Sequence, residues 1–396
     1  MKELIIKNID ETIQNSPCFF TNIKSFNFDY TPDEIFPRKE LQDLINAISF
    51  LIKYRSSHHI LLLGGPGTGK TTCLNWLIKN NQIEKKYGIE IKYINCISSD
   101  TTYQVICDLT GAKRGMPSNQ IFDLFFKNQK KDCIIILDEI NRLDILSQKS
   151  GNLLYFFSRP GEVTNHTFKN NISLILISNN LFWDRDILSK DNSVYSSLQF
   201  QRIIFSQYST DDVFKILKLK AQSSLKMGCY DEDTLSYIAK LVNDDGRNDT
   251  RVAIMTLKLT IQYLENNQLN NPTNKIVYQA YIQAILEVEK ETLGKLNLTV
   301  LTILYACALG SEEKIKIDTS SAVFNQVYLP LCKRDGRRPV SFMGFHNHLN
   351  YLSSVNLITT YVDWKNKTKN KYISLNTSKK AIEVSYQKNI LSNQND

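Results

Sequence analysis

Several things are missing from this 396-residue chain, and each absence narrows what it can be. No apolar run approaches the roughly 20 residues needed to cross a bilayer, so no membrane partner is expected. The start, Met1-Lys2-Glu3-Leu4, lacks the charged-then-apolar pattern of a signal peptide. The eight cysteines form no C-x-x-C pair, which argues against a zinc ribbon or a disulfide framework. Cys73, Cys96, Cys107, Cys133 and Cys307 sit inside apolar runs and read as small core residues of a cytoplasmic protein. There is no internal repeat and no low-complexity block. The first 294 residues also lack any excess of one charge, with 34 basic and 33 acidic side chains. From Lys295 onward the count is 14 against 7, so nearly all of the net +8 lies in the last quarter. A basic terminal domain on a near-neutral body is the electrostatic footprint of a polyanion partner.

What is present is organised around Gly64-Gly65-Pro66-Gly67-Thr68-Gly69-Lys70-Thr71. Ile60–Leu63 before it reads as a buried strand, and Thr72 to Lys79 after it as a helix. This is G-x-x-x-x-G-K-[ST] in the strand–loop–helix context that a phosphate-binding loop requires. Glycines let the backbone curl so that N–H groups converge on phosphate oxygens, and the helix N-terminus adds partial positive charge. Gly65 through Thr72 are therefore the expected nucleotide cradle, for ATP or ADP. Lys70 reaches the outer phosphates, and the Thr71 hydroxyl is placed for Mg²⁺.

Further along, Ile134 to Leu137 precede Asp138-Glu139, the pattern of a buried parallel strand ending in acids at a ligand edge. Asp138 is the expected Mg²⁺ partner, and Glu139 the group that orients and deprotonates an attacking water. A third strand, Ile172 to Ser178, ends at Asn179, whose amide can hydrogen-bond a phosphate or the water. Alternating strands and helical stretches predict an α/β doubly wound parallel sheet. Tyr30 and Arg38, in a stretch punctuated by Pro32 and Pro37, are candidates for the base of the nucleotide.

From Thr210 the periodicity turns helical, with Thr210 or Asp211 as the expected first cap. A third helix of this group begins near Asn248 and carries Arg251 in its first turn. A fourth covers about 273–290, and three further helical stretches follow, over 295–309, 322–332 and 341–353. A hairpin closes the chain, and its expected tip carries Lys365, Lys367, Lys369 and Lys371. Three helices and a basic hairpin make a winged helix-turn-helix, with Ser341, His346 and Asn347 as candidate DNA contacts and Arg337 and Arg338 just before them. The expected domains are 1–205 for the nucleotide, 206–292 for a helical lid, and 293–396 for DNA.

Together these residues resemble the archaeal origin-recognition (Orc/Cdc-type) family of AAA+ replication initiators. Tyr30-Thr31-Pro32 with Pro37-Arg38 looks like the family's adenine-side box. Tyr93-Ile94-Asn95-Cys96 and Thr102-Tyr103-Gln104-Val105 look like its strand and the start of its initiator-specific insertion, where Lys113 and Arg114 add charge. Ile177-Ser178-Asn179 is similar to the first sensor, and Asp249-Thr250-Arg251 to the second, with Arg251 on the γ-phosphate. The resemblance implies an origin-binding ATPase with slow hydrolysis, located in the cytoplasm with the nucleoid, that binds duplex DNA at replication origins and helps load a replicative helicase beside sister initiators. Two stretches depart from the family pattern. Ser193 stands where the family usually has an arginine finger, and Gly246-Arg247-Asn248 adds residues before Asp249. A DNA-binding regulator or defence protein gated by ATP, and a paralogue that binds ATP without hydrolysing it, stay open as alternatives.

Overall fold

The computed structural model describes residues 17–99, 101–143, 153–159, 170–188, 199–244, 249–294, 296–311, 319–354, 357–365 and 368–393. The chain divides into two compact units, Met1–Ala284 and Ile285–Asp396. Among the described residues no helix is long and apolar enough to cross a membrane.

The first unit is built on β1 (His59–Leu63), β2 (Glu90–Asn95), β3 (Cys133–Asp138), β4 (Ile172–Ser178) and β5 (Phe200–Ile204), all parallel in the order β2-β3-β4-β1-β5. The continuous apolar runs of β1, β3 and β4 are buried along their whole length, as expected where helices cover both faces. Alternation then sorts each strand into two cores. Leu61, Leu63, Ile135, Leu137, Leu174 and Leu176 pack with Val105, Phe122, Phe125 and Phe157 on one face. Ile60, Leu62, Ile134, Ile136, Ile175 and Ile177 pack with Leu41, Leu44, Leu74 and Leu77 on the other. The five cysteines read as core residues are buried and free. The strand order brings the ends of β1, β3 and β4 side by side, with β2 next to β3.

Helices Thr210–Ser224, Glu232–Asp244 and Thr250–Asn266 follow. Ser209, not Thr210 or Asp211, caps the first of them. Its hydroxyl accepts from the Asp212 N–H while the Asp212 carboxylate takes the Ser209 N–H, a reciprocal capping box. Residues 17–26 run along this helical group, with Thr21 N–H on the Ser224 carbonyl and Phe19 N–H on Glu265 at 2.5 Å.

In the second unit, helix Leu298–Gly310 is the buried centre, packed by Val323, Tyr328, Phe345, Leu349 and Ile382. Ser320–Ala322 and Leu329–Arg334 are joined by a π-type segment, Val323–Tyr328. Helix Phe342–Ser354 leads into the antiparallel hairpin β6 (Ile358–Lys365) and β7 (Thr368–Leu375). The hairpin is longer than its sequence suggests. Lys365 pairs opposite Thr368, Lys369 opposite Trp364 and Lys371 opposite Val362, so these lysines lie on strands rather than in a loop. Backbone pairing tolerates the polar run because alternate residues of a two-stranded hairpin can face water. Lys367 lies outside the described residues.

Candidate nucleotide site

The loop after β1 folds as its glycines require. Gly67 and Gly69 have φ of 73° and 82°, the left-handed region. Each also allows a close approach. A Cβ on Gly67 would meet the Asp249 carboxylate at 2.0 Å, and one on Gly69 the Tyr208 hydroxyl at 2.7 Å. The loop's helix begins at Lys70, two residues earlier than its apolar pattern suggests, so Lys70, Thr71 and Thr72 form its first turn. Thr68 is buried, and its hydroxyl donates to the Gly65 carbonyl.

Lys70 is the hub. Its ammonium donates to the Gly64 and Gly65 carbonyls and to Asn179 Oδ1, each at 2.8 Å. Burial pulls the Lys70 ammonium down to about 8, against the opposing pull of Glu139 and Asp138. The Asn179 amide N–H in turn donates to both Glu139 oxygens at 2.8 Å. One carboxamide thus links the loop's cation to the acid expected to handle water. Glu139 has φ of 57°, unusual for a residue with a Cβ, and its N–H is held by Asp138 Oδ1 at 2.9 Å. Asp138 Oδ2 accepts from the Thr71 hydroxyl at 3.0 Å and from the Tyr93 hydroxyl at 2.7 Å. A hydroxyl beside a carboxylate is a hard-oxygen pair of the kind that suits Mg²⁺.

Asp249 caps helix Thr250–Asn266, and the Arg251 guanidinium is paired with its carboxylate at 2.6 Å. Arg251, whose place near a helix N-terminus looks unfavourable by sequence, is accommodated by that partner. Because Asp249 also lies against Gly67, Arg251 is brought to the loop. Arg38 meets the loop from the other side. It donates to the Thr68 carbonyl at 2.7 Å and to Glu40, with its guanidinium over the Tyr208 ring at 4.4 Å. Its hydrogen bonds go to protein groups, and it holds the loop through the backbone. Tyr30 lies under the Lys220 ammonium at 4.8 Å.

Tyr93, Asp249 and Asn141 escaped the sequence reading as site residues. Asn141 Oδ1 accepts from the Asn179 N–H at 3.3 Å. The sequence marked Tyr93 only as part of a family-like strand stretch, and the strand order that sets β2 beside β3 is not written in the local pattern. Ser193, and Lys190 as one cation nearby that could stand in for the missing finger, lie outside the described residues. Arg202, another basic residue of this region, is paired with Asp184, and the Arg185 guanidinium lies 5.4 Å from the centroid of the Phe182 ring.

The candidate DNA contacts divide. Lys113 and Arg114 are exposed in a turn pinned by the Tyr103 hydroxyl, which donates to the Met116 carbonyl and accepts from the Gly115 N–H. Arg338, Ser341 and Asn347 are exposed. Ser341 Oγ accepts from the Gly344 N–H, capping the helix that follows. Arg337 faces inward, donating to the Leu298 carbonyl at 3.1 Å and to Thr302 Oγ1, which gives it a structural use. His346 is part-buried against Phe342, with ring centroids 4.6 Å apart, and both burial and Lys371 lower its pKa.

Residues 60–191 match the ATPase family associated with various cellular activities (AAA), and residues 291–385 match the CDC6 C-terminal winged-helix domain. An ORC1-type DNA replication protein of Thermococcus onnurineus is 23% identical, covering 98% of this chain and 95% of its own length. The Aeropyrum pernix ORC1 protein, solved in complex with DNA, is similar with a TM-score of 0.71 at 20% identity, over 93% of this chain and 97% of that one. The Aeropyrum pernix ORC2 protein, solved in ADPNP–ADP complexes, gives 0.62 at 19% identity, over 94% and 100%. The chain thus carries an AAA domain followed by a CDC6-type winged-helix domain, and it is similar along nearly its whole length to an ORC1-type DNA replication protein.

Proposed function

We propose that this chain is an ATP-dependent initiator that binds duplex DNA at replication origins. The observation that carries the reading is the Lys70–Asn179–Glu139 linkage, on the same chain as a CDC6-type winged helix. The loop from Gly65 to Thr72 holds the phosphates through backbone N–H groups, and Lys70 adds the charge. Thr71 and Asp138 would hold Mg²⁺, which would supply charge neutralisation on the phosphates. Glu139 takes the proton of a water that Asn179 helps to position. Arg251 leaves Asp249 for the γ-phosphate, so the helical lid senses the triphosphate. Tyr30 and Arg38 border the base.

Hydrolysis is slow in this reading. Ser193 at the finger position has no charge to offset that on the transferred phosphoryl group, and a finger is worth about 10³-fold or more in rate. ATP then acts as a switch rather than as fuel. The domains keep the limits 1–205, 206–292 and 293–396, with DNA contacts at Lys113, Arg114, Arg338 and the winged helix. The related ORC1 protein solved with DNA supports duplex DNA as the partner. We infer delivery of a replicative helicase, cooperation with sister initiators and residence at the nucleoid from the family resemblance alone.

The test is footprinting on the host's genomic DNA with and without ATP at fixed salt, since phosphate contacts make affinity salt-dependent. Protection of repeated motifs at a replication start, strengthened by ATP, is expected. Protection confined to a promoter would replace this reading with that of a regulator.

A further inference from the structure

Helix Phe342–Ser354 occupies the groove-reading position of a winged helix, yet it contains no Lys, Arg, Asp or Glu. Its inward face is Phe345, Leu349 and Leu352, each fully buried. At 3.6 residues per turn the opposite face is Met343, Asn347 and Asn350. Met343 is 71% exposed and both asparagines are exposed. Asn350 Oδ1 accepts from Lys371 at 2.5 Å, which ties it to the hairpin. His346 is turned onto Phe342, and its ring nitrogen lies 3.5 Å from Ser320 Oγ. With Phe342 also 44% exposed at its start, the outward chemistry of this helix is a thioether, an aromatic ring and carboxamides. The unit's positive charge lies elsewhere.

That inventory restricts which bases the helix can read. In the major groove guanine is read by Arg or Lys at O6 and N7, and cytosine by Asp or Glu at N4. Adenine is read by Asn or Gln, and thymine by an apolar contact with its methyl group. We propose that this helix specifies A·T pairs, with Met343 packed on a thymine C5-methyl and Asn347 paired with an adjacent adenine. Arg338 and the hairpin lysines supply sequence-independent phosphate contacts. The proposal rests on the DNA-binding reading above and adds the base class that the helix selects.

The test uses the full chain. Sites are first selected from random duplexes, and each thymine of the selected site is then replaced by deoxyuridine, which removes only the methyl group. Burying one methyl is worth about fourfold in affinity. One or two deoxyuridine positions should weaken wild-type binding by about that factor. Met343→Ala should bind the thymine site as weakly as wild type binds the uracil site, with no further loss on substitution. Unchanged binding of the uracil duplex by the variant also shows that it is folded. Met343→Leu should keep the methyl sensitivity, and Asn347→Ala should relax the choice at one adenine. Selected sites read through invariant guanines, or a deoxyuridine penalty that persists in Met343→Ala, would overturn the proposal and leave DNA binding intact. Failure to enrich any sequence would overturn both.

Discussion

His59 opens the strand that delivers the phosphate loop, and it makes that strand sensitive to acid. The imidazole is 7% exposed, and its Nδ1 accepts the Leu174 N–H at 3.2 Å from the adjacent β4. Burial, and then the neighbouring His58, pull it down from 6.5 to about 4. An acceptor nitrogen must be unprotonated, so the fold needs the neutral ring. The depressed value means that the unfolded chain takes up the proton first as pH falls. The contribution is intact above about pH 6.5, shrinks through the window down to 4, and is then lost. Its full size is about 3 kcal/mol, of which about 1 kcal/mol is gone at pH 5.5. His59→Gln keeps an acceptor for Leu174 and takes no proton. In urea unfolding at pH 7.5 and 5.5, groups common to both proteins cancel. The advantage of wild type over the variant should shrink by about 1 kcal/mol at the lower pH. A difference in stability that stays constant between the two pH values would refute the assignment of a buried neutral imidazole.

Asn179→Ala breaks the link between Lys70 and Glu139. Single-turnover hydrolysis should fall by about a hundredfold, with a smaller change in ATP affinity, and Asn179→Asp should be worse because it faces Glu139 with a second carboxylate. Gly67→Ala puts a methyl 2.0 Å from Asp249 Oδ1 and adds about 1–2 kcal/mol of left-handed strain. Nucleotide titrations should show about tenfold or greater loss of affinity, and unchanged affinity would mean that the lid cap does not lie against the loop. Arg337→Ala should destabilise the second unit by about 1–3 kcal/mol without altering the salt slope of DNA binding. Arg338→Ala should lower that slope by about one with little effect on stability.

The phosphate loop, the acid pair after β3 and the Asn179 strand end were legible because local chemistry leaves few alternatives. A G-x-x-x-x-G-K-T loop between a buried strand and a helix is itself an anion site. Unbroken, β-branched apolar runs such as Ile134 to Leu137, ending in acids, suit a strand in a sheet covered on both faces. The paired basic and acidic counts located the charged terminal domain without any coordinates. Three helical stretches and a basic hairpin pointed to the winged helix, which the CDC6-type match bears out.

Tertiary structure decided which of the candidate residues meet. Strand order, set by long-range packing, put Tyr93 on Asp138 and Asn179 between Lys70 and Glu139. Chain reversal through the helical group laid Asp249 against Gly67, some 180 residues away, and gave Arg251 its partner. Packing also turned Arg337 inward while Arg338 stayed exposed, a difference that two adjacent arginines in a sequence cannot express. Sequence fixes which groups can do chemistry, since residue type sets donors, acceptors and charge. Folding selects the pairs that do it, because hydrogen bonds act only at about 3 Å, and only a folded chain holds distant residues that close.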